Sequence, residues 1–350
     1  MTNEKPGVRH RTLGHGVRMA RLRTVSPNTK GLSRRRAGSG FVYLDETGAR
    51  ITDVEEIHLI KSLAIPPAWQ DVWIAPYPNG HIQAVGTDDA GRRQYLYHPD
   101  WRIKRDKQKF DRVLQSARKL PAARRAIQRD LALEGMPLER ADAVAVRLLD
   151  LGYFRIGSDI YADTNGSFGL TTLERRHVRK ERDRLVFRFE GKSGIEHSVE
   201  IHDPEVLHAL DSLRRRRGGT ERLLAYQVQR RWRDLDSAAV NNYLNGLHDE
   251  LTAKDFRTWH ATVLAAAALA GSEEPGDTKA SRRRAVKAAV QEVADYLGNT
   301  PTIAKSSYID PRIFDLYESG TTIDPAILTR HRSPATRQRA LEKAVLELLS

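Results

Sequence analysis

The order in which strand-like and helix-like segments follow one another constrains the fold of this chain more than any other feature. Short runs with strand-like alternation and turn signals fill residues 39–103, whereas longer segments with helical periodicity dominate from residue 111 onward. Strands gathered in one part of a chain and helices in another indicate an α+β fold. We therefore predict a small β-rich domain at residues 39–103, a hinge at residues 104–110 and a mainly helical domain at residues 111–350.

Turn and cap residues mark the elements of the first domain. Asn79-Gly80 lies between two apolar runs and predicts a β-hairpin. Asp53 followed by Glu56 forms a capping box ahead of a short helix that ends at the prolines 66 and 67. Ordered structure is expected to start near Gly40. Strands are predicted at residues 41–44, 50–51, 72–75, 81–85 and 93–97.

Helix signals dominate the second domain, with one strand-rich interruption. Amphipathic helices are predicted at residues 138–151, 204–217, 237–247, 253–267 and 282–297, and another is predicted after residue 308 that ends at residue 349. Segments typical of strands lie between the first two of these helices, at residues 169–173, 185–190 and 197–201. The sequence therefore predicts a helical domain with one small inserted sheet.

The net charge suggests an anionic partner but is concentrated at one end of the chain. The 350 residues carry a formal net charge of +13 at pH 7. Residues 1–38 hold ten Lys or Arg residues and a single acid, so most of the excess lies there. We interpret residues 1–38 as a basic, flexible tail that is attracted to DNA by its charge, with a transit peptide as the alternative.

Several classes of site are excluded or disfavoured. The chain has no cysteine, so it can form no disulfide, thiolate metal site or cysteine nucleophile. No run of 18 apolar residues is present, so we expect no membrane-spanning helix. The 12 histidines lack metal-binding spacings, and a turn explains Asp88-Asp89 as well as a cation site would. Gly191-Lys192-Ser193 resembles the end of a phosphate-binding loop, but residue 186 is valine where that loop needs glycine. We expect no cofactor and no metal.

A short polar stretch between Gly298 and Pro311 is the first candidate site. It follows a predicted helix and carries Asn299 and, nine residues later, Tyr308. A tyrosine in such a place is most often a packing residue. Its interpretation as a nucleophile therefore depends on what the rest of the chain supplies.

Three cationic residues elsewhere in the second domain could supply the groups that a nucleophilic tyrosine needs. Arg155 follows a predicted helix end, Lys192 lies at the tip of a predicted hairpin, and Arg257 lies in the first turn of a predicted helix. Each of these positions aims a long side chain toward a ligand more easily than into a core. Taken singly, however, each is more often a solvated charge.

Together these motifs resemble the bacterial, poxvirus-like branch of the type IB DNA topoisomerases. The resemblance spans essentially the whole chain beyond the tail, and its motifs occur in the family's order. In the first domain the motifs are Pro78-Asn79-Gly80-His81-Ile82-Gln83 and Gly91-Arg92-Arg93-Gln94-Tyr95-Leu96-Tyr97. In the second they are Phe154-Arg155-Ile156-Gly157, Gly169-Leu170-Thr171-Thr172-Leu173, Gly191-Lys192, Asp255-Phe256-Arg257-Thr258, Gly298-Asn299-Thr300-Pro301 and Ser307-Tyr308.

The resemblance implies a fold, an activity and a set of site residues. The expected architecture is a small β-rich domain and a larger helical catalytic domain that close as a clamp around duplex DNA. The expected activity is ATP- and metal-independent relaxation of positive and negative supercoils through a 3′-phosphotyrosyl intermediate, strand rotation and religation. Carried over by position, Tyr308 is the nucleophile, Lys192 the general acid, and Arg155, Arg257 and Asn299 stabilise the transition state.

One position departs from much of the family, which has histidine where this chain has Asn299. Asparagine donates hydrogen bonds but cannot act as an acid or base, so only transition-state stabilisation is assigned to it. Candidate DNA contacts in the first domain are Arg93, Gln94, Tyr95 and Tyr97, with an ordinary alternating strand as the alternative interpretation.

Arg231, Trp232 and Arg233, and the cluster Arg282-Arg283-Arg284, are further phosphate-contact candidates; solvated helix ends explain them at least as well.

Two other functions remain open from the sequence alone. A tyrosine recombinase would share the Arg, Lys, Arg and Tyr chemistry but would work as a tetramer. A non-catalytic DNA-binding module would leave Tyr308 as a structural residue. The expected enzyme acts on double-stranded DNA as a monomer, in the bacterial cytoplasm with the nucleoid.

Overall fold

The computed structural model describes residues 21–151, 154–157, 166–191, 194–249, 251–273, 278–331 and 333–350. The chain forms two units, Met1–Lys109 and Phe110–Ser350, which are described separately. The first is built around a sheet and the second mainly from helices. The predicted separation of a sheet-rich part from a mainly helical part is therefore confirmed.

In its described residues the first unit contains a five-stranded antiparallel sheet and the helix α1 (Val54–Ser62), together with the start of a long helix that continues into the second unit. The strand order is β2-β1-β3-β4-β5, and the core beneath the sheet includes the buried side chains of Ile60, Ile74 and Ala84. The strands are β1 (Leu32–Ala37), β2 (Gly40–Leu44), β3 (Gln70–Ile74), β4 (Ile82–Thr87) and β5 (Arg93–Tyr97).

The first strand lies inside the segment that the sequence assigns to the tail. Its Arg34 donates hydrogen bonds to the carbonyl oxygens of Ile65 (3.0 Å) and Trp69 (3.1 Å). Leu32 is buried and lies opposite Ile74 of β3. Arg34 thus ties this strand to the loop around residues 65–69, a contact that composition alone does not reveal. Order therefore begins earlier than Gly40, and the predicted tail boundary at residue 38 is wrong for residues 32–37.

A 33-residue helix, α2 (Pro99–Leu131), contains the segment predicted as a hinge. Residues 104–110 lack a broad apolar face but continue the helix, and the boundary between the two units falls after Lys109. Pro121 lies inside the same helix, where it removes one backbone hydrogen bond.

Helices and two small sheets make up the rest of the second unit. No helix in the described residues is long and apolar enough to cross a membrane. The helices after α2 are α3 (Leu138–Asp150), α4 (Pro204–Arg215), α5 (Ser237–Leu247), α6 (Ala253–Ala270), α7 (Lys279–Leu297), α8 (Pro301–Ser307), α9 (Arg312–Glu318), α10 (Ile327–Arg330) and α11 (Pro334–Leu348). The strands are β6 (Val178–Glu181), β7 (Arg184–Glu190), β8 (Glu196–Ile201), β9 (Ala225–Val228) and β10 (Arg231–Asp234).

Local hydrogen bonds explain one departure from the predicted elements. Residues 169–173, predicted as a strand, instead form a short 3₁₀ turn at Leu170–Thr172, because Thr172 exchanges hydrogen bonds with the backbone of Gly169.

Two further segments differ from prediction. Arg231, Trp232 and Arg233 belong to a β-hairpin, not to a helix end. The single helix expected after residue 308 is three helices in the described residues: residues 319–326, with turns at both ends, separate the first two, and the third begins at Pro334.

Candidate active site

Arg155 lies on a loop that is locked onto the 3₁₀ turn by backbone hydrogen bonds. The carbonyl of Arg155 accepts from the backbone N–H of Leu170 (2.7 Å), and that of Ile156 accepts from Thr171 (2.8 Å). Gly157 has φ = +94°, and a Cβ added to Gly169 would lie 2.4 Å from Gly157 Cα. The two glycines therefore let two motifs that are distant in sequence pack as one unit.

The Arg155 side chain reaches across to the end of α7. Its Nη2 donates to Asn299 Oδ1 (2.5 Å) and to the carbonyl of Gly298 (3.3 Å). Burial lowers the pKa of Arg155, and nearby Tyr308 opposes that shift. Because the arginine is a donor only, it fixes the amide of Asn299 with its oxygen toward Arg155 and its nitrogen away from it.

The turn that carries Asn299 follows from the end of α7 and the start of α8. Gly298 ends α7 in the left-handed conformation (φ = +58°), and the backbone N–H of Asn299 donates to Ala294 (2.9 Å). Thr300 then caps α8 by accepting from the N–H of Ile303 (3.3 Å), and Pro301 takes the first helical position. This seven-residue helix is what joins Asn299 to Tyr308.

Tyr308 is the C-cap of α8 and is half-buried. Its backbone N–H donates to Ala304 (3.1 Å), and Thr262 Oγ1 on α6 accepts from the N–H of Asp310 (3.1 Å). The next residue, Ile309, is completely buried. The backbone on the C-terminal side of the tyrosine is thus anchored while its side chain remains at the surface of the cluster.

Arg257 is the most deeply buried member of the cluster, with 5% of its surface exposed. It lies on α6, and its Nη2 donates to the carbonyl of Leu297 at the end of α7. Its guanidinium carbon is 5.4 Å from the centre of the Tyr308 ring. Burial first, then the charge of Arg155, lower the pKa of Arg257 to about 10, and Tyr308 opposes the shift. Arg257 therefore remains cationic at neutral pH.

The start of α6 is itself held by a charged pair. Asp255 accepts from the backbone N–H of Thr252 (2.8 Å) and from Arg112 Nη2 (2.7 Å) on α2. Asp255 is 3% exposed. This arrangement fixes the first turn of the helix from which Arg257 projects.

Three buried nitrogens in the cluster have no hydrogen-bond partner among the described residues. They are Arg155 Nη1, Arg257 Nε and Asn299 Nδ2. Buried donors in folded proteins are nearly always paired, so unpaired ones require an explanation. An anion with several acceptor oxygens, such as a phosphodiester, would satisfy donors of this kind.

Lys192 lies outside the described residues, so its predicted place in the cluster stays a prediction. The hairpin on either side of it is described: β7 and β8 pair antiparallel, and the N–H of Gly191 donates to the carbonyl of Ile195 (2.8 Å). Sequence reasoning missed one residue of this hairpin, His197, whose pKa is lowered by burial and by Arg155 and Arg257.

The candidate DNA contacts in the first unit lie on β5, at the edge of its sheet. Tyr95 (41% exposed) and Tyr97 (37% exposed) stack with their ring centres 6.0 Å apart, and Arg93 lies over Tyr95 at 5.8 Å. Gln94 points elsewhere and donates to Asp88 (2.9 Å). Three of the four residues thus share one exposed face, while Gln94 is held by a neighbouring turn.

Asp88, considered from the sequence as a cation ligand, uses its carboxylate for hydrogen bonds within that turn. It accepts from the backbone N–H groups of Ala90 and Arg92, and hydrogen bonds led by the Arg92 side chain lower its pKa to about 2. Among the described residues, no group of three or more His, Asp or Glu side chains is placed to hold a metal ion.

Comparisons with known proteins cover both units. The family described as the catalytic core of eukaryotic DNA topoisomerase I matches residues 98–319, and the N-terminal domain of bacterial DNA topoisomerase IB matches residues 40–88. DNA topoisomerase 1B of Acanthamoeba polyphaga mimivirus is 28% identical over 313 residues, which cover 87% of this chain and 91% of that protein.

Other relatives are matched over less of this chain. DNA topoisomerase 1B of Vaccinia virus (strain Copenhagen) is 21% identical over 253 residues, 69% of this chain and 74% of the viral protein. DNA topoisomerase 1 of Daucus carota is 29% identical over 174 residues, 48% of this chain and 21% of the plant protein.

Proposed function

Because the chain belongs to the type IB DNA topoisomerases, we propose that it relaxes positive and negative supercoils by nicking and resealing one strand of duplex DNA. The reaction proceeds without ATP and without a metal ion. A single observation carries the proposal: Arg155, Arg257 and Asn299 each hold a buried nitrogen with no partner among the described residues, and Arg257 lies 5.4 Å from the ring of the half-buried Tyr308.

The chemistry follows from what a tyrosine can do to a phosphodiester. Tyr308 Oη loses its proton and forms a bond to phosphorus while the bond from phosphorus to the 5′-oxygen breaks. The departing 5′-oxygen takes up a proton, so the products are a 3′-phosphotyrosyl ester and a free 5′-hydroxyl. One phosphoester replaces another, so the bond energy is retained and the reverse reaction reseals the strand. Strand rotation between the two steps changes the linking number.

Charge stabilisation is the role we assign to Arg155, Arg257 and Asn299. Negative charge grows on the non-bridging oxygens in the five-coordinate transition state, and fixed donors aimed at that charge lower the barrier. The support for these roles is the convergence of the three side chains and their unpaired nitrogens. Arg257 also lies beside the tyrosine ring, with its guanidinium carbon 5.4 Å from the ring centre.

Lys192 is the residue to which we assign the proton for the leaving 5′-oxygen. An alkoxide is a poor leaving group unless it is protonated, and an ammonium group at a hairpin tip is a suitable acid. The support here is the family motif and the hairpin on either side of the residue.

Binding of duplex DNA is proposed to use both units, closing as a clamp, with the protein acting as a monomer. The exposed face formed by Arg93, Tyr95 and Tyr97 supports a role for the first unit in groove or phosphate contact. We place the enzyme with the nucleoid in the bacterial cytoplasm.

Plasmid relaxation tests the proposal directly. Supercoiled plasmid is incubated with the protein in EDTA without ATP, and topoisomers are resolved on a gel. We expect the intact protein to relax the plasmid and Tyr308→Phe to be inactive, because only the phenolic oxygen is removed. Tyr317→Phe, a half-buried tyrosine on α9, is the matched control and should remain active. Equal relaxation by Tyr308→Phe would overturn the assignment of the nucleophile.

A further inference from the structure

His197 occupies a position between the catalytic hairpin and the turn that carries Asn299. It lies on β8 opposite Phe189 of β7, and the two rings stack with their centres 5.2 Å apart and 18° between their planes. The side chain is half-buried. None of the roles assigned above involves it.

Two glycines show how closely the imidazole is packed. A Cβ added to Gly191 would lie 2.5 Å from His197 Cδ2 and 2.6 Å from Nε2. A Cβ added to Gly298 would lie 2.6 Å from His197 Cε1. Such distances are too short for any real Cβ, so the ring fills the space that the two missing side chains leave. It touches the hairpin on one side and the end of α7 on the other.

Electrostatics place the same ring beside the cationic cluster. Burial, followed by the charges of Arg155 and Arg257, lowers the pKa of His197, and only Glu196 opposes the shift. The imidazole is therefore neutral at neutral pH. A neutral ring can pack against two guanidinium groups without adding a third positive charge.

We propose that His197 is a positioning residue that sets the distance between Gly191, directly after β7, and the Gly298–Asn299 turn. The inference rests on the proposed function, because Lys192 follows Gly191 directly in the sequence. Whatever fixes Gly191 limits where the Lys192 ammonium can reach. His197 thereby aligns proton delivery to the 5′-oxygen with the donors that hold the phosphate.

A change of leaving group tests this role. Single-turnover formation of the covalent adduct is measured on an ordinary duplex and on one with sulfur in place of the bridging 5′-oxygen. A thiolate leaves without a proton, so misplacement of the general acid should no longer matter. We expect His197→Ala to slow cleavage of the ordinary duplex on the order of 100-fold. On the sulfur substrate it should cleave at close to the wild-type rate.

Reference variants make the result specific. Lys192→Ala should show the same rescue by sulfur, whereas Arg257→Ala should remain slow on both substrates. His197→Phe keeps a flat ring against Phe189 and should recover most of the loss. Ser198→Ala, an exposed neighbour on β8, is the matched control. Thermal unfolding is followed for each variant, and His197→Gln replaces the alanine variant if that one does not fold.

Different failures have different meanings. If the wild-type protein forms no covalent adduct on either substrate, the proposed function itself is wrong. If the wild-type protein cleaves and His197→Ala cleaves equally fast, only the role of His197 is overturned. A folded His197→Ala that is equally slow on both substrates would also overturn it, because the defect would then not lie in proton delivery.

Discussion

Asn299 occupies a position where much of the family has histidine, and its geometry shows how an amide can serve there. Arg155 donates to its Oδ1, which leaves the Nδ2 group as a fixed donor with no partner among the described residues. A histidine would offer a hydrogen-bond donor and could also act as an acid. The amide offers only the donor, already oriented by its neighbour.

The first residue-scale prediction concerns this donor. Asn299→Ala should slow formation of the covalent adduct by about 10²–10³-fold, the usual effect of removing one fixed donor from a transition state. Asn299→Asp should be slower still, because a carboxylate repels the phosphate. The measurement is single-turnover cleavage, with the exposed Ser306→Ala on α8 as the control. An unchanged rate in Asn299→Ala would show that its nitrogen does not contact the reacting phosphate.

Local motifs identify four candidate site residues that the structure brings together, but they do not predict the contacts between them. Arg155, Arg257, Asn299 and Tyr308 were each marked by a helix end or a family motif, and the structure brings all four together. Their catalytic roles stay predictions. His197 was missed because it looks like an ordinary strand residue, and its contact with Gly298 depends on packing between distant segments.

Among the elements, the pair formed by α3 and α5 contains a buried acid with an unpaired oxygen. Asp142 on α3 is 3% exposed, and its Oδ1 has no partner among the described residues. Burial first, then the charges of Glu139 and Asp236, raise its pKa from 3.8 to about 7. The folded protein therefore keeps this carboxyl protonated where the unfolded chain releases the proton.

This helix pair should make stability depend on pH. Between pH 4 and pH 7 Asp142 holds its proton in the folded protein and releases it in the unfolded chain, so its own contribution to the free energy of unfolding should fall as pH rises, by about 1.4 kcal/mol per pH unit at the steepest. Asp142→Asn cannot ionise and should lose this dependence. The variant should match the wild type near pH 4 and be more stable at pH 8. Chemical denaturation at several pH values measures the difference.

An exposed acid provides the control for that experiment. Asp295→Asn on α7 should leave the wild-type pH dependence unchanged. If the difference in stability between Asp142→Asn and the wild type did not change between pH 4 and pH 7, the pKa shift assigned to Asp142 would be wrong.

Element boundaries were predictable where caps and periodicity agreed. Three helices begin directly after their N-cap residues, Asp53, Asp203 and Thr252, as predicted. Strand β5 also has its predicted bounds. Prediction was wrong where tertiary partners decide. The strand at residues 32–37 depends on Arg34 reaching the loop around residues 65–69, and the 3₁₀ turn at residues 170–172 depends on Thr172. Neither interaction is visible as a local pattern.

At the scale of the whole molecule, family membership explains why two units of different class occur in one chain. The match to the bacterial N-terminal domain falls in the sheet unit, and the match to the catalytic core covers most of the helical unit. The four described site residues all belong to the helical unit, and the stacked tyrosines of β5 belong to the other. Chemistry and substrate contact are thus proposed to be divided between the units.

The short helix α8 has a consequence for whether two copies can share one active site. It joins Asn299 to Tyr308 over a single short segment, and Arg155 and Arg257 of the same chain bind the backbone just before it. The proposed nucleophile, Tyr308, therefore lies with its proposed partners within one polypeptide. Mixing two inactive variants, Tyr308→Phe and Arg257→Ala, should restore no plasmid relaxation at any ratio. Recovered activity would mean that copies exchange this segment, and the enzyme would then require an assembly rather than a lone chain.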